Sequence, residues 1–218
     1  MKVAVFGYYN NVNYGDDFMQ DCITRFIKSE GGHPVFLPHN RNPPPNAYLR
    51  EFDWILIGGG GLVFNRHGIW KNMKHWLSLA PCYVGVLGLG VNSLKARKLR
   101  SEINYLVERS EFFYVRDEKS RDLIDEEFVS VGPDLSWFYP YEEASPKEKR
   151  AKSEKNGIAF NITGAAYGGR SLNPQAWGRE IKKLAKKINP FPLRMTSKHD
   201  KGVLESILDV PISPHFSI

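Results

Sequence analysis

The sequence predicts an α/β protein: a doubly wound, parallel, Rossmann-like domain followed by a short, incomplete second α/β unit. Three observations predict it. Short β-branched runs alternate with longer segments of helical period. Nearly every such run ends in glycine or a polar turn, as strands of an open parallel sheet do. A charged stretch without large apolar residues then separates residues 1–141 from residues 157–218.

The elements follow in order. Val3-Ala4-Val5-Phe6 ends at Gly7 and reads as a buried first strand. After a polar loop, Asp16 or Asp17 is placed to cap a helix whose apolar face is Met19, Cys22, Ile23, Phe26 and Ile27. Gly31-Gly32 stops that helix, and Val35-Phe36-Leu37 is a second strand. Pro43-Pro44-Pro45 is a stiff connection. Asp53 to Ile57 is a third strand and runs into Gly58-Gly59-Gly60-Gly61. Helices are expected over Gly68 to Leu79, Leu94 to Arg109 and Lys119 to Ile124. Strands are expected over Tyr83 to Leu87, Phe112 to Val115 and Phe128 to Val131. Strands separated by helices pair in parallel. Residues 142–156 form a charged linker. Beyond it, a partial C-terminal domain is expected to hold strand Ile158 to Ile162, a helix around Pro174 to Ile188, strand Leu193-Arg194-Met195 and a short helix from Gly202 to Leu208. Some sixty residues hold only about half of a nucleotide-binding sheet, so this unit is marginal alone.

Composition excludes several classes. At 218 residues the chain is long enough to bury a core without metal or disulfide staples. Cys22 and Cys82 lie in apolar contexts and read as buried thiols, in keeping with a cytoplasmic setting. The apolar runs, Trp54 to Ile57 and Tyr83 to Leu89, fall far short of the roughly 20 residues that cross a bilayer. The net charge of +6 sits largely in Lys147 to Lys155 and on Lys182, Lys183, Lys186 and Lys187. Solvated surface explains both clusters better than nucleic acid, and no nucleic-acid module accompanies them. An anionic substrate, or peripheral contact with the inner face of a membrane, would use the charge equally well.

The chemistry gathers at five strand ends: Gly7 to Asp17, Gly58 to Gly61, Gly88-Leu89-Gly90 with Asn92-Ser93, Arg116-Asp117, and Pro133-Asp134. Ligands bind at such ends because backbone amides and helix N-termini point outward there. The four glycines fit a phosphate cradle or a tight strand-to-helix turn equally well. No Gly-Lys-Ser/Thr phosphate loop or spaced dinucleotide fingerprint is present. Of Asp16 and Asp17, one can cap the helix while the other positions a hydroxyl or acts as a base. Arg116 can bind an anion through its planar fork, or instead pair with Asp117 or Asp134. Asp134 can equally accept hydrogen bonds from its own loop. His33, His39, His67, His75, His199 and His215 lack metal-ligand spacing, so no metal is expected. No Gly-x-Ser-x-Gly elbow supports a serine nucleophile.

Asn13-Tyr14-Gly15-Asp16-Asp17, Ile57 to Leu62, Gly88-Leu89-Gly90, Arg116-Asp117-Glu118-Lys119-Ser120 and Gly132-Pro133-Asp134 occur in the order and rough spacing of another group of proteins. In this the chain resembles the polysaccharide pyruvyl transferase family, well over Val3 to Asp134 and loosely to Asp200. The resemblance implies a GT-B-like arrangement of two Rossmann-like halves. It implies transfer of pyruvate from phosphoenolpyruvate to two hydroxyls of a cell-surface glycan, as a ketal. Phosphoenolpyruvate is then a co-substrate, a glycan or lipid-linked sugar is the acceptor, and no further cofactor is needed. By position, Asp16 and Asp17 are the catalytic candidates, and Asn13, Gly58, Gly59, Gly60, Gly61, Arg116, Asp134 and His199 the substrate-binding ones. Arg116 would contact an anion. Ser197-Lys198-His199-Asp200 is similar to a turn of the family's second domain. The family's late histidine, followed by a helix, has no match at His215, so the donor half-site is expected to be incomplete here. The alternatives are a non-catalytic binder of glycan or nucleotide-sugar and a glycosyltransferase of GT-B type.

Overall fold

A computed structural model of the chain describes residues 1–9, 13–37, 46–64, 70, 73–139, 157–160, 183 and 189–192. By internal contacts the chain divides into two units, Met1–Asn11 with Asp16–Tyr139, and Val12–Gly15 with Pro140–Ile218.

The first unit is built on six parallel strands: β1 (Lys2–Phe6), β2 (His33–Leu37), β3 (Trp54–Gly58), β4 (Tyr83–Leu89), β5 (Phe112–Val115) and β6 (Val129–Val131). Their spatial order is β2-β1-β3-β4-β5-β6. Helices α1 (Tyr14–Ser29), α2 (Asn46–Leu49), α3 (Met73–Leu79), α4 (Arg97–Arg109) and α5 (Glu118–Ile124) connect them, and a 3-10 turn, Leu135–Phe138, follows β6. The order reverses beside β1. The chain leaves β1 toward β2 on one side and returns to β3 on the other, so a crevice opens at the carboxyl ends of β1 and β3.

Alternation along each strand loads both faces. Val3, Val5 and Leu56 pack against Met19, Ile23 and Ile27 of α1. Ala4, Phe6, Ile55, Ile57, Val84, Val86, Phe113 and Val115 pack with Leu77, Leu99, Ile103, Leu106 and Ile124 of α3, α4 and α5. Two buried faces explain why these strands read as continuous apolar runs. Cys22 and Cys82 are buried free thiols, and burial pushes the Cys22 thiol up to about 11.

Several boundaries differ from the expected ones. β2 begins two residues early and includes Pro34, which this position tolerates because β2 pairs only with β1 at the sheet edge. β4 runs on through Gly88 to Leu89, since a register shift between Val86 and Leu89 absorbs the irregular backbone. α1 starts at Tyr14, so neither Asp16 nor Asp17 is its cap. Asn13 stands before the first turn, where its Oδ1 accepts the Gly15 N–H at 3.1 Å.

In the second unit β7 (Gly157–Phe160) pairs in parallel with β8 (Asn189–Pro192). β8 therefore lies just before the expected Leu193-Arg194-Met195, a stretch outside the described residues. Its two prolines, Pro190 and Pro192, alternate, so both missing N–H groups fall on one side and the other side remains free to pair.

Candidate substrate-binding site

The site grows from the end of β3. A Cβ on Gly58 would collide with the Leu87 carbonyl, so only glycine lets β3 and β4 approach so closely there. Gly59 and Gly60 then turn with φ of +79° and +82°, conformations that other residues adopt at a cost. The turn is stitched to the end of β4. The Gly90 N–H donates to the Gly60 carbonyl at 2.9 Å, Val63 N–H to the Gly90 carbonyl at 3.2 Å, and Asn92 N–H to the Val63 carbonyl at 2.8 Å. Beneath it, the buried Tyr9 hydroxyl donates to the Gly58 carbonyl. Burial, and then the nearby Asp16 charge, hold the Tyr9 phenol well above its usual range, so it stays protonated.

Asp16, in the first turn of α1, faces this turn. A Cβ on Gly60 would lie 3.0 Å from Asp16 Oδ1. Burial pushes the Asp16 carboxyl up to about 6; the Asp17 charge adds to the rise and the Arg116 charge opposes it. A carboxyl poised there can hold or release a proton near neutral pH.

Arg116 comes from the end of β5 and lies flat against Gly90, whose Cβ would meet Nε at 2.6 Å and Cζ at 2.8 Å. Its Nη2 reaches toward Gly61, where a Cβ would lie 3.5 Å away. Two carboxylates hold it from behind, Asp117 at 3.4 Å from Nε and Asp134 at 3.8 Å from Nη1. Both ion pairs are long and half-open, so the guanidinium keeps donors for a ligand. Arg116 is thus both structural partner and exposed donor.

The neighbouring motif residues have structural work as well. Asp117 caps α5 by accepting the Ser120 N–H at 2.7 Å. Desolvation raises its carboxyl, but hydrogen bonds from Ser120 and the Arg116 charge outweigh this and hold it below the usual range. The Ser120 hydroxyl, buried, accepts the Val91 N–H at 2.8 Å and ties α5 to the loop after β4. Asp134 caps the 3-10 turn by accepting Ser136 N–H at 3.0 Å.

The first unit thus brings together Asp16, Gly58, Gly59, Gly60, Gly61, Arg116 and Asp134. Asn13 acts as a helix cap, and His67 and His199 lie outside the described residues. In the sequence Asn92 stands only as part of a strand-end loop. Its exposed side-chain amide stands over Gly61, whose Cβ would come within 2.8 Å of Nδ2. The signal for it is spatial, because it needs the loops after β3 and β4 to be bonded to each other. Among the described residues no group of three or more His, Cys, Asp or Glu is placed to hold a metal ion, and no helix is long and apolar enough to cross a membrane.

The combination is a rigid glycine edge carrying amide and guanidinium donors beside a carboxyl of raised pKa. It can bind an oxygen-rich substrate and exchange a proton with it. No curated protein sequence matches the chain significantly. The family model described as polysaccharide pyruvyl transferase matches residues 13–205 of the 218, and it takes in Asp16, the glycine turn, Asn92, Arg116 and Asp134 together. The chain therefore belongs to the polysaccharide pyruvyl transferase family, a family of transferases.

Proposed function

We propose that the protein transfers the pyruvyl group of phosphoenolpyruvate onto two hydroxyls of a sugar in a cell-surface glycan, as a ketal. Family membership supports this reading, and the observation that carries it is the raised Asp16 carboxyl beside the Gly58–Gly61 turn and Arg116.

The chemistry asks for a proton, a base and oriented oxygens. Carbon 3 of phosphoenolpyruvate takes a proton, carbon 2 becomes electrophilic, and the first sugar hydroxyl forms a C–O bond there. The C2–O bond to phosphate breaks, and the second hydroxyl closes the ketal. Of the two hydroxyl protons, one balances the new methyl group and the other leaves with phosphate. Asp16 suits the proton exchange with a sugar hydroxyl, because a carboxyl titrating near 6 works in both directions at neutral pH. Asp17 keeps the local field negative and so favours the protonated form of Asp16. The glycine turn lets a sugar ring approach the backbone. Work at a lipid-linked sugar on the inner face of a membrane fits the net charge of +6.

The test is phosphate release from phosphoenolpyruvate by the full chain, with and without neutral glycan acceptors. Acceptor-dependent release coupled to a ketal product is expected. Binding of a nucleotide-sugar donor in place of phosphoenolpyruvate would replace this reading with a glycosyltransferase.

A further inference from the structure

One face of the sheet carries aromatic rings that the helices leave uncovered. Alternate residues of a strand share a face. Trp54 and Leu56 of β3 lie on the face that α1 covers, and the register carries that face across the sheet. Tyr83 of β4 stands opposite Trp54, Gly85 opposite Leu56, and Phe112 of β5 opposite Gly85, with Tyr114 two residues further on. α3, α4 and α5 pack on the other face. Among the described residues α1 is the helix packed on this one, against Val3, Val5 and Leu56 of β1 and β3. The face over β4 and β5 stays open, and there Tyr83 is 58% and Tyr114 40% exposed.

Gly85 shapes this surface. A Cβ there would lie 2.3 Å from the Phe112 ring, so the glycine lets that ring lie across β4 toward Trp54. Between ring centroids, Trp54 is 5.1 Å from Tyr83 and 5.8 Å from Phe112, and Phe112 is 6.0 Å from Tyr114. The interplanar angles are 35°, 33° and 43°. The core pairs Phe6–Trp70 and Tyr9–Phe36 cross far more steeply, at 61° and 82°. The four rings thus form a shallow floor, seated on the core through Trp54 and Phe112.

Area, charge and shape select the occupant. The exposed parts of the four rings offer on the order of 300 Å². A stable protein interface needs about 800 Å² from each partner, so a second copy of the chain is poorly matched. An anionic membrane would meet Asp53 and Glu111, the residues that lead into Trp54 and Phe112. The Glu111 carboxylate is exposed and has no partner among the described residues. A cation is held best by rings that box it in, and this floor has no crossing wall. A sugar ring fits all three conditions. Its flat C–H face stacks on the rings, and its rim hydroxyls exchange hydrogen bonds with the Tyr83 and Tyr114 hydroxyls and the Glu111 carboxylate.

We infer that Trp54, Tyr83, Phe112 and Tyr114 form a second, non-catalytic binding site, a stacking platform for sugar rings of a neutral polysaccharide. Trp54 lies four residues before Gly58, about 13 Å along β3, so the platform is separate from the glycine turn. The assignment goes beyond the transfer reading and does not need it.

The test is affinity gel electrophoresis of the full chain through hydroxyethyl cellulose, dextran and galactomannan, three neutral soluble polysaccharides. At least one is expected to retard the parent. Tyr83→Ala combined with Tyr114→Ala should weaken that binding at least 10-fold. Tyr83→Phe combined with Tyr114→Phe keeps the rings and should retain most of it. Both tyrosines are exposed, so the melting curves of these variants should follow the parent's, and each single alanine variant, which should lose part of the binding, is a second route. Phosphate release with a monosaccharide acceptor should stay at the parent level in the double alanine variant. The two readings therefore fail separately: absent phosphate release leaves the retardation, and absent retardation leaves the release. Retardation by none of the three polysaccharides, or equal retardation of parent and double alanine variant, overturns the assignment. So does binding of polylysine or of phosphatidylglycerol vesicles that the two alanines abolish, or a dimer in sedimentation that they dissolve.

Discussion

The two ends of the sheet use their polar groups in opposite ways. At the amino ends of β1, β2 and β3, Lys2, Glu51 and Asp53 find close partners. Lys2 N–H donates to Asp53 at 2.6 Å, and Lys2 Nζ pairs with Glu51 at 2.6 Å while lying over the Phe52 ring. Asp53 N–H donates to the Lys2 carbonyl and His33 N–H to the Met1 carbonyl. A depression of about 460 Å³ lies there, lined by Met1, Lys2, His33, Pro34, Val35 and Asp53, and within it the Lys2 N–H and the Asp53 carboxylate are already engaged with each other. At the carboxyl ends the pairings are long. Arg116 stands 3.4 and 3.8 Å from its carboxylates, Asp16 carries a raised pKa, and the Gly60 and Gly61 N–H groups have no backbone partner among the described residues. Well-matched polar groups hold an edge closed, and the under-matched edge is the one that can bind a ligand.

Removing the under-matched groups should break this contrast most. Arg116→Ala is expected to cut pyruvyl transfer by about 1000-fold. It should also move the Asp16 pKa further up, because the Arg116 charge is what holds that rise in check. A 13C titration of the Asp16 carboxyl reads the direction. An unmoved titration would mean that the two residues do not share a site.

Asp16→Asn should lower transfer by about 100-fold and make the protein more stable. The sign follows from linkage. The native Asp16 carboxyl titrates at about 6 against 3.8 unfolded, so between those values the native state holds the extra proton. Stability is therefore lost as pH rises through 6, and the asparagine variant escapes that loss. With solvent screening of a partly exposed group allowed for, the gain at pH 8 is about 1 kcal/mol. Urea denaturation at pH 4 and pH 8 measures it. A variant less stable than the parent at pH 8 would contradict the account.

Ser120→Ala probes the frame under the site. The buried Val91 N–H loses its acceptor, which costs about 1–3 kcal/mol by denaturation. The Gly90–Asn92 segment is bonded to the glycine turn, so transfer should fall as well. Glu51→Ala, at the closed edge, is the smallest change. Its ion pair is solvent-exposed, so the melting curve and transfer should both match the parent within error.

Much of this was legible in the sequence because parallel strands buried on two faces leave continuous apolar runs such as Val3 to Phe6 and Trp54 to Ile57. The helical periods of Met19, Cys22, Ile23 and Ile27 were equally plain. The strand-end glycines and Arg116 stood out for the same reason, since polar groups interrupt those runs only where the chain leaves the sheet. What the sequence hid was spatial. Tyr9 reads as loop, yet it is buried with its hydroxyl on the Gly58 carbonyl. Asn92 is a single polar residue without periodicity, and it gains meaning only when the loops after β3 and β4 bond to each other. Asn13 and Asp134 look like ligand contacts in sequence. In the fold, local backbone N–H groups already engage both. The β8 strand is hidden by its prolines, which ordinarily argue against a strand.

The account turns on the under-matched edge, with Asp16 at its centre. The most direct measurement is the pH dependence of phosphate release from phosphoenolpyruvate, with a sugar acceptor present, for the parent chain and Asp16→Asn. The account predicts an inflection near pH 6 in the parent that disappears in the variant, along with about 100-fold of the rate. A variant whose rate and pH profile match the parent's would contradict it.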